Sequence, residues 1–352
     1  VLITGACGFI GTALSLHFLS RGAAVVGLDN LSRPGVEVNA RELQAYPRFS
    51  FHRVDLADQQ TLWRTLRKMG AVDAVFHLAG QVAVNASYRD RRLDFESNLL
   101  GSFNLLECVA SLTPGAYCLY SSTNKVYGRL RRSTAVGREQ SLDPCTPYGV
   151  SKAAAELYFS EYNREPIGLS TCSLRQSCIY GHHQLGTEDQ GWLAWFAAAN
   201  LLKRPVCIYG DGEQVRDLLF IDDLIALYAE CLDRRVTGVY PVGGGEANAI
   251  SLNQALLLIE QETGRPFVGI THAEPRPGDQ PYFVAELSWA RDLGLAWRPR
   301  TGVTAGLRRL LSWLEAHEAD LDRLHGRPQD RQPEDEVLLQ PGPRAGGRDF
   351  LL

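Results

Sequence analysis

The chain opens on a short apolar run, Val1-Leu2-Ile3-Thr4, that passes directly into Gly5-Ala6-Cys7-Gly8-Phe9-Ile10-Gly11 and then into an apolar stretch of helical length. Three glycines at G-x-x-G-x-x-G spacing between a strand and a helix leave few folds open. The strand must turn tightly, and the helix must then pack closely back on it. Further β-branched runs follow at Ala24–Leu28, Phe49–Val54, Ala74–His77 and Ala116–Tyr120. Helical patterns fall between them, around 9–20, 58–69, 92–111 and 147–164. Strands alternating with helices predict an α/β fold, a doubly wound parallel sheet covered on both faces.

After about residue 176 the order loosens. Loops rich in Gly, Pro and charge occupy 181–191, 209–217 and 273–282, with helices expected near 192–203, 221–232, 251–263 and 302–316. We read residues 1–176 as the sheet domain, with about 206–232 returning to it. Residues 177–315 read as a smaller mixed α/β substrate-binding domain. The extension 316–352, rich in Pro, Gly, Arg and Asp from Gly326, reads as a largely flexible tail.

Composition excludes several classes. With 36 Lys plus Arg against 40 Asp plus Glu, the net charge of -4 leaves no basic footprint for nucleic acid. No run approaches the roughly 18 apolar residues of a membrane helix. The sequence starts in a strand pattern and leaves no room for a signal peptide. Eight scattered Cys form no C-x-x-C pair, which argues against a metal site and for reduced thiols in a cytoplasmic protein.

The glycine loop is suited to a dinucleotide. Gly5, Gly8 and Gly11 let a pyrophosphate approach the backbone, and the helix opening at Phe9 and Ile10 offers free N–H groups and a partial positive charge. The second strand ends at Asp29, 18 residues after Gly11. A carboxylate there accepts from the adenosine ribose hydroxyls and repels a 2′-phosphate, which favours NAD over NADP. Asn30 adjoins it, although nearby Arg33 would accommodate such a phosphate. Asp55 and Leu56, after the third strand, flank the expected adenine position, where a helix-capping Asp is the competing reading. Leu78, Ala79 and Gly80 close the fourth strand as backbone lining for the cofactor, and His77 reads as a packed strand-end residue. The fold class is therefore Rossmann-type.

Tyr148 and Lys152 carry the chemistry. Only four of the 36 basic residues are Lys, yet one lies four positions after a Tyr, on the same face of a helix. An ammonium beside the ring would lower the phenol from about 10 toward neutrality and make it a general base. Thr146-Pro147 is a good helix start and puts Tyr148 in the first turn, where the helix dipole favours an anion. The run Tyr120-Ser121-Ser122-Thr123 ends the fifth strand, at the edge where open α/β sheets bind ligands. A Thr123 hydroxyl there can hold a substrate alcohol beside Tyr148.

Together these motifs resemble the extended short-chain dehydrogenase/reductase family of nucleotide-sugar enzymes over about residues 1–315. They are Gly5-x-x-Gly8-x-x-Gly11, Asp29-Asn30-Leu31, His77-Leu78-Ala79-Gly80, the Ser-Ser-Thr run, Tyr148-x-x-x-Lys152 and Gln214-Val215-Arg216-Asp217. The resemblance implies an NAD-dependent enzyme acting on a nucleotide-diphosphate sugar, with Thr123, Tyr148 and Lys152 catalytic. Tyr148 and Lys152 would also touch the cofactor, and Arg216 would grip the substrate diphosphate, a salt bridge with Asp217 being its alternative. Within the family, Leu78-Ala79-Gly80-Gln81-Val82-Ala83, Ser121-Ser122-Thr123-Asn124-Lys125-Val126-Tyr127-Gly128 and Asp189-Gln190-Gly191-Trp192 are similar to the CDP-paratose 2-epimerase subgroup. Gln81, Asn124, Lys125, Cys178, Gln190 and Trp192 are the further substrate contacts this implies. Sugar 4,6-dehydratases carry Asp-Glu after the catalytic Thr, where this chain has Asn124-Lys125, so epimerisation by transient oxidation is expected rather than dehydration. Epimerisation at C4 and a non-catalytic NAD-binding sensor are the alternatives. A homodimer through the helices near 92–111 and 147–164 is the family expectation, and Leu99, Phe103, Leu106 and Val109 suit either such an interface or the core.

Overall fold

The computed structural model describes residues 1–130 and 134–325. The strands of the first half are β1 Leu2–Thr4, β2 Val25–Asp29, β3 Phe49–Arg53, β4 Ala74–His77, β5 Tyr117–Thr123 and β6 Ser170–Gln176. There follow β7 Cys178–Tyr180, β8 Val206–Tyr209, β9 Val215–Phe220, β10 Gly238–Val242, β11 Ala249–Ser251, β12 Ile270–Ala273 and β13 Tyr282–Phe283. Seven of them form one parallel sheet in the order β10-β6-β5-β4-β1-β2-β3. This is the expected Rossmann-type architecture. The order reverses beside β1, and the carboxyl ends of β1 and β4 there frame a ligand crevice.

The sheet is buried on both faces because its strands alternate apolar side chains between two cores. Leu2, Val75, Cys118 and Tyr120 enter one core with Leu62, Leu105 and Phe159. Ile3, Phe76 and Leu119 enter the other with Leu14, Phe18 and Tyr228. The apolar helix Phe9–Ser20 lies in this second layer, packed against the helix Ile221–Asp233.

Two sheet strands were not evident from sequence. In β6, Ser173, Arg175 and Gln176 are buried, so no continuous apolar run marks it. Arg175 is neutralised by Glu156 at 2.7 Å. β10 contains Pro241, which is tolerated because β10 is an edge strand.

Of residues 206–232, the helix Ile221–Asp233 packs on the sheet domain, whereas β8 and β9 do not join its sheet. β8 pairs with β12, and β9 gathers β7, β11 and β13 into a second small sheet. In the expected tail, Glu318–His325 is a helix with Leu321 fully buried, which corrects the flexible reading for that segment. Residues 326–352 lie outside the described residues. Leu106 and Val109 belong to the core, while Leu99 and Phe103 are only half-buried.

Candidate functional site

The glycine loop is built as a cradle. Gly5 has φ +66°, and a Cβ on it would lie 2.7 Å from the Ala79 nitrogen. A Cβ on Gly11 would sit 2.1 Å from the Gly5 carbonyl oxygen, so only glycine lets the helix close on the turn. Gly8 caps the helix Phe9–Ser20 with extended backbone and no side-chain cap, which leaves the first N–H groups facing the crevice. Asp29 holds the loop: Oδ2 accepts from the Cys7 N–H (3.0 Å) and Oδ1 from the Leu31 N–H (2.8 Å). Burial pushes its carboxyl up and these backbone hydrogen bonds oppose the rise. Asn30 donates to Asp55 (3.2 Å), which joins the ends of β2 and β3.

Asp55 does not cap the next helix; it closes a turn on the Ala57 N–H, and Asp58 is the cap. Leu56 packs in the core, and its carbonyl accepts from Asn104. The N–H groups of Leu78 and Ala79 are held by the Thr4 hydroxyl, and a Cβ on Gly80 would strike Asn98 Oδ1 at 2.6 Å. His77 is structural: its ring bridges Thr4 and Ser102 at 2.7 Å each, and burial brings it down to about 3.

β5 runs three residues beyond Tyr120 and delivers Thr123 to the crevice. Opposite it, Thr146 caps the helix Pro147–Tyr162 through the Gly149 N–H (2.9 Å), which fixes Tyr148 in the first turn. Tyr148 and Lys152 are buried and line the same cavity as Thr123, whose hydroxyl donates to Asn124 Oδ1 (3.4 Å) and accepts the Lys125 N–H (3.3 Å).

The electrostatics differ from the expectation that Lys152 acts directly on the Tyr148 ring. Lys152 Nζ lies 4.3 Å over the ring of Tyr120. Burial brings it down to about 7, against the pull of Glu156 and Asp94. Burial also pushes Tyr148 up to about 12, and the nearby Thr123 hydroxyl only partly offsets this. The phenol therefore needs a further positive charge beside it to ionise near neutrality.

The substrate side faces these groups across a cavity of about 310 Å³. Its wall includes Phe9, Ile10, Leu78, Thr123, Tyr148 and Lys152 toward the cofactor side, and Asn124, Lys125, Cys178, Gln190, Trp192 and Arg216 beyond. Arg216 pairs with Asp279 (2.7 Å), not with Asp217, whose carboxylate accepts the Gly245 and Ala285 N–H groups instead. Asp279 also takes Lys125 at 3.0 Å. Burial alone would raise the Asp279 carboxyl, but the two cations hold it below its usual value. Trp192 donates its indole N–H to Cys178 Sγ at 3.2 Å, and Gln190 accepts from Arg33. Gln81 turns away, onto Asp94 and the backbone of Ala83, and is not part of this wall.

Three wall or support residues escaped the sequence reading. Arg276 and Asp279 stand in the loop 273–282, read only as a stretch rich in Gly, Pro and charge, and Arg276 lies 4.1 Å over the Tyr209 ring. Asp94 is buried beside Lys152, and burial brings it up to about 6. Nothing in sequence set it apart, because it stands among the charges Asp90, Arg91, Arg92 and Glu96.

Residues 1–243 match the NAD dependent epimerase/dehydratase family. The chain belongs to that family. It is 35% identical to the CDP-paratose 2-epimerase of Salmonella typhi over 336 residues, 89% of this chain and 98% of that one. It is 30% identical to the UDP-glucuronate 4-epimerase of Thermodesulfobacterium geofontis, over 89% of this chain and 95% of that one. The fold superposes on the UDP-glucose 4-epimerase of Thermus thermophilus in complex with NAD, with a TM-score of 0.78, 32% identity and coverage of 89% and 98%. The protein is an NAD-dependent enzyme of this epimerase family, and its glycine cradle and Asp29 fit that cofactor.

Proposed function

We propose that the protein epimerises a nucleotide-diphosphate sugar at C2 by transient oxidation, as CDP-paratose 2-epimerase does by name. The observation that carries this reading is that Thr123, Tyr148 and Lys152 line one cavity with Phe9 and Ile10 of the glycine cradle, while Lys125 on the same wall is locked to Asp279. A cation stands where dehydration would need an acid. The 35% identity to a 2-epimerase along nearly its whole length supports C2 over C4.

In this mechanism Thr123 orients a sugar hydroxyl and the Tyr148 phenolate removes its proton. Bound NAD supplies the hydride acceptor and later donor, together with the positive charge of its oxidised ring. Lys152, whose ammonium the charges of Glu156 and Asp94 favour, binds the nicotinamide ribose and adds its charge to that of the cofactor ring. Arg216 and Arg276 grip the diphosphate and leave the sugar free to present its other face. Tyr148 then returns the proton. Val82, Val84 and Cys178 give the wall apolar patches suited to a deoxysugar.

We further place the enzyme in the cytoplasm, because all eight cysteines are free. Among the described residues no helix is long and apolar enough to cross a membrane. We also propose a homodimer, as argued below.

The test is proton NMR of sugar ring couplings after incubation with NAD and CDP-, UDP-, GDP-, ADP- and dTDP-sugars. Altered H1–H2 and H2–H3 couplings with unchanged H4–H5 are expected. Inversion at H4 would replace C2 by C4. Binding of NAD without conversion of any sugar would leave a sensor.

A further inference from the structure

The loop after β12 ends in Arg276-Pro277-Gly278-Asp279-Gln280, and Gln280 is fully buried. Both ends of its amide are used. Oε1 accepts from Asn124 Nδ2 at 3.1 Å, and Nε2 donates to the carbonyls of Asn124 (3.1 Å) and Gly128 (2.8 Å). These acceptors bracket the turn that directly follows Thr123. The preceding residue, Asp279, joins Lys125 of the same turn to Arg216 and also accepts the Gln280 N–H at 3.0 Å. At Gly278 a Cβ would lie 2.5 Å from Thr146 Cγ2, so the loop is pressed on the residue that caps the Tyr148 helix.

Three consecutive residues of this loop therefore touch both elements that carry the reacting groups, and Asp279 adds the Arg216 cation. An amide buried this deeply costs free energy unless every end is bonded, and packing alone would be served by an aliphatic side chain. A fully satisfied buried polar network fixes one geometry.

We propose that Gln280, seconded by Asp279, is a positioning residue that ties the Thr123 turn to the diphosphate-gripping loop. It holds the turn that follows Thr123 in place beside the Tyr148 helix while Arg216 is engaged. This rests on the proposed epimerase reading.

The test uses the full-length, NAD-loaded protein and Gln280→Leu, which keeps the volume and removes all three bonds. Gln280→Met, unbranched and of equal length, stands in if the Leu variant fails to fold. Hydrogen exchange of the peptide spanning 124–130 is expected to quicken while that of β6 is unchanged, and the thermal midpoint falls by a few degrees because the Asn124 and Gly128 groups lose their partner. Turnover is expected to fall about 10- to 100-fold with KM within about 3-fold, the mark of a misplaced reacting group. Unchanged exchange in 124–130, a loss carried by KM, or a kcat within about 2-fold of wild type would overturn the proposal. If the wild type converts no nucleotide sugar, the epimerase reading falls, and the exchange measurement still decides whether Gln280 holds the turn.

Discussion

At the residue scale the site is governed by burial more than by charge pairing. Lys152 and Tyr148 are both drawn away from their ionised forms, to about 7 and about 12. The ammonium is half formed near pH 7 and the phenolate only near pH 12, so in the chain by itself the phenol stays protonated near neutrality. The environment of Lys152 is tight: a Cβ at Gly80 would come within 3.9 Å of Nζ, and Tyr120 lies beneath it. Arg brings a wider fork that stays charged and cannot be seated as a point charge. Lys152→Arg is expected to lower turnover by about 100-fold or more, in the range of lost acid–base assistance. The sugar NMR assay checks this, with NAD released on denaturation as the control for cofactor binding. A variant that keeps a tenth of wild-type turnover would remove Lys152 from the mechanism.

At the element scale, local signals carried the first half of the fold and long-range ones decided the rest. Glycines within six residues of each other announced the turn before the helix Phe9–Ser20, because the steric demand at Gly5 and Gly11 is local. Thr146-Pro147 likewise fixed where the Tyr148 helix starts. β6 was hidden because its polar residues are satisfied from afar, with Glu156 reaching Arg175 and Tyr228 reaching Gln176. Asp279 was hidden for the same reason, since its partner Lys125 is 154 positions away. The pair His182-His183 faces away from the cavity toward the helices Ile221–Asp233 and Val36–Gln44. His182 bonds Asp222 at 2.8 Å, and His183 approaches Glu42 at 3.2 Å. The His182 hydrogen bond, aided by Arg309 and opposed by burial, holds the Asp222 carboxyl at about 2. Its folded value lies below the unfolded one near 4, so its stabilisation is complete above about pH 4 and fades as pH falls toward 2. Asp222→Asn should therefore lower the thermal midpoint at neutral pH, and the gap to wild type should close between about pH 4 and 2. A gap that persisted unchanged at acid pH would assign the loss to packing instead.

At the scale of the whole molecule, the Tyr148 helix Pro147–Tyr162 has two distinct faces. One buries Tyr148, Lys152 and Glu156. The other leaves Val150 51%, Leu157 58% and Tyr158 41% exposed, at i, i+7 and i+8 on one stripe. Phe95 is 52% exposed, and Phe103 meets Tyr158 edge-on at 5.2 Å, which extends the apolar face to the neighbouring helix. Large apolar side chains grouped in this way mark an association surface, and a two-fold pairing would bury the patch against its own copy. Covering it would also brace the helix that positions Tyr148, so assembly and turnover should be linked. Leu157→Arg places a charge at the middle of the stripe, where a buried unpaired guanidinium is costly. Sedimentation of the wild type is expected at twice the chain mass and of the variant at the chain mass, with lower turnover that recovers as protein concentration rises. A wild type that sediments as a single chain at every concentration would leave the patch without this partner, and the catalytic helix would then be braced by its own domain alone.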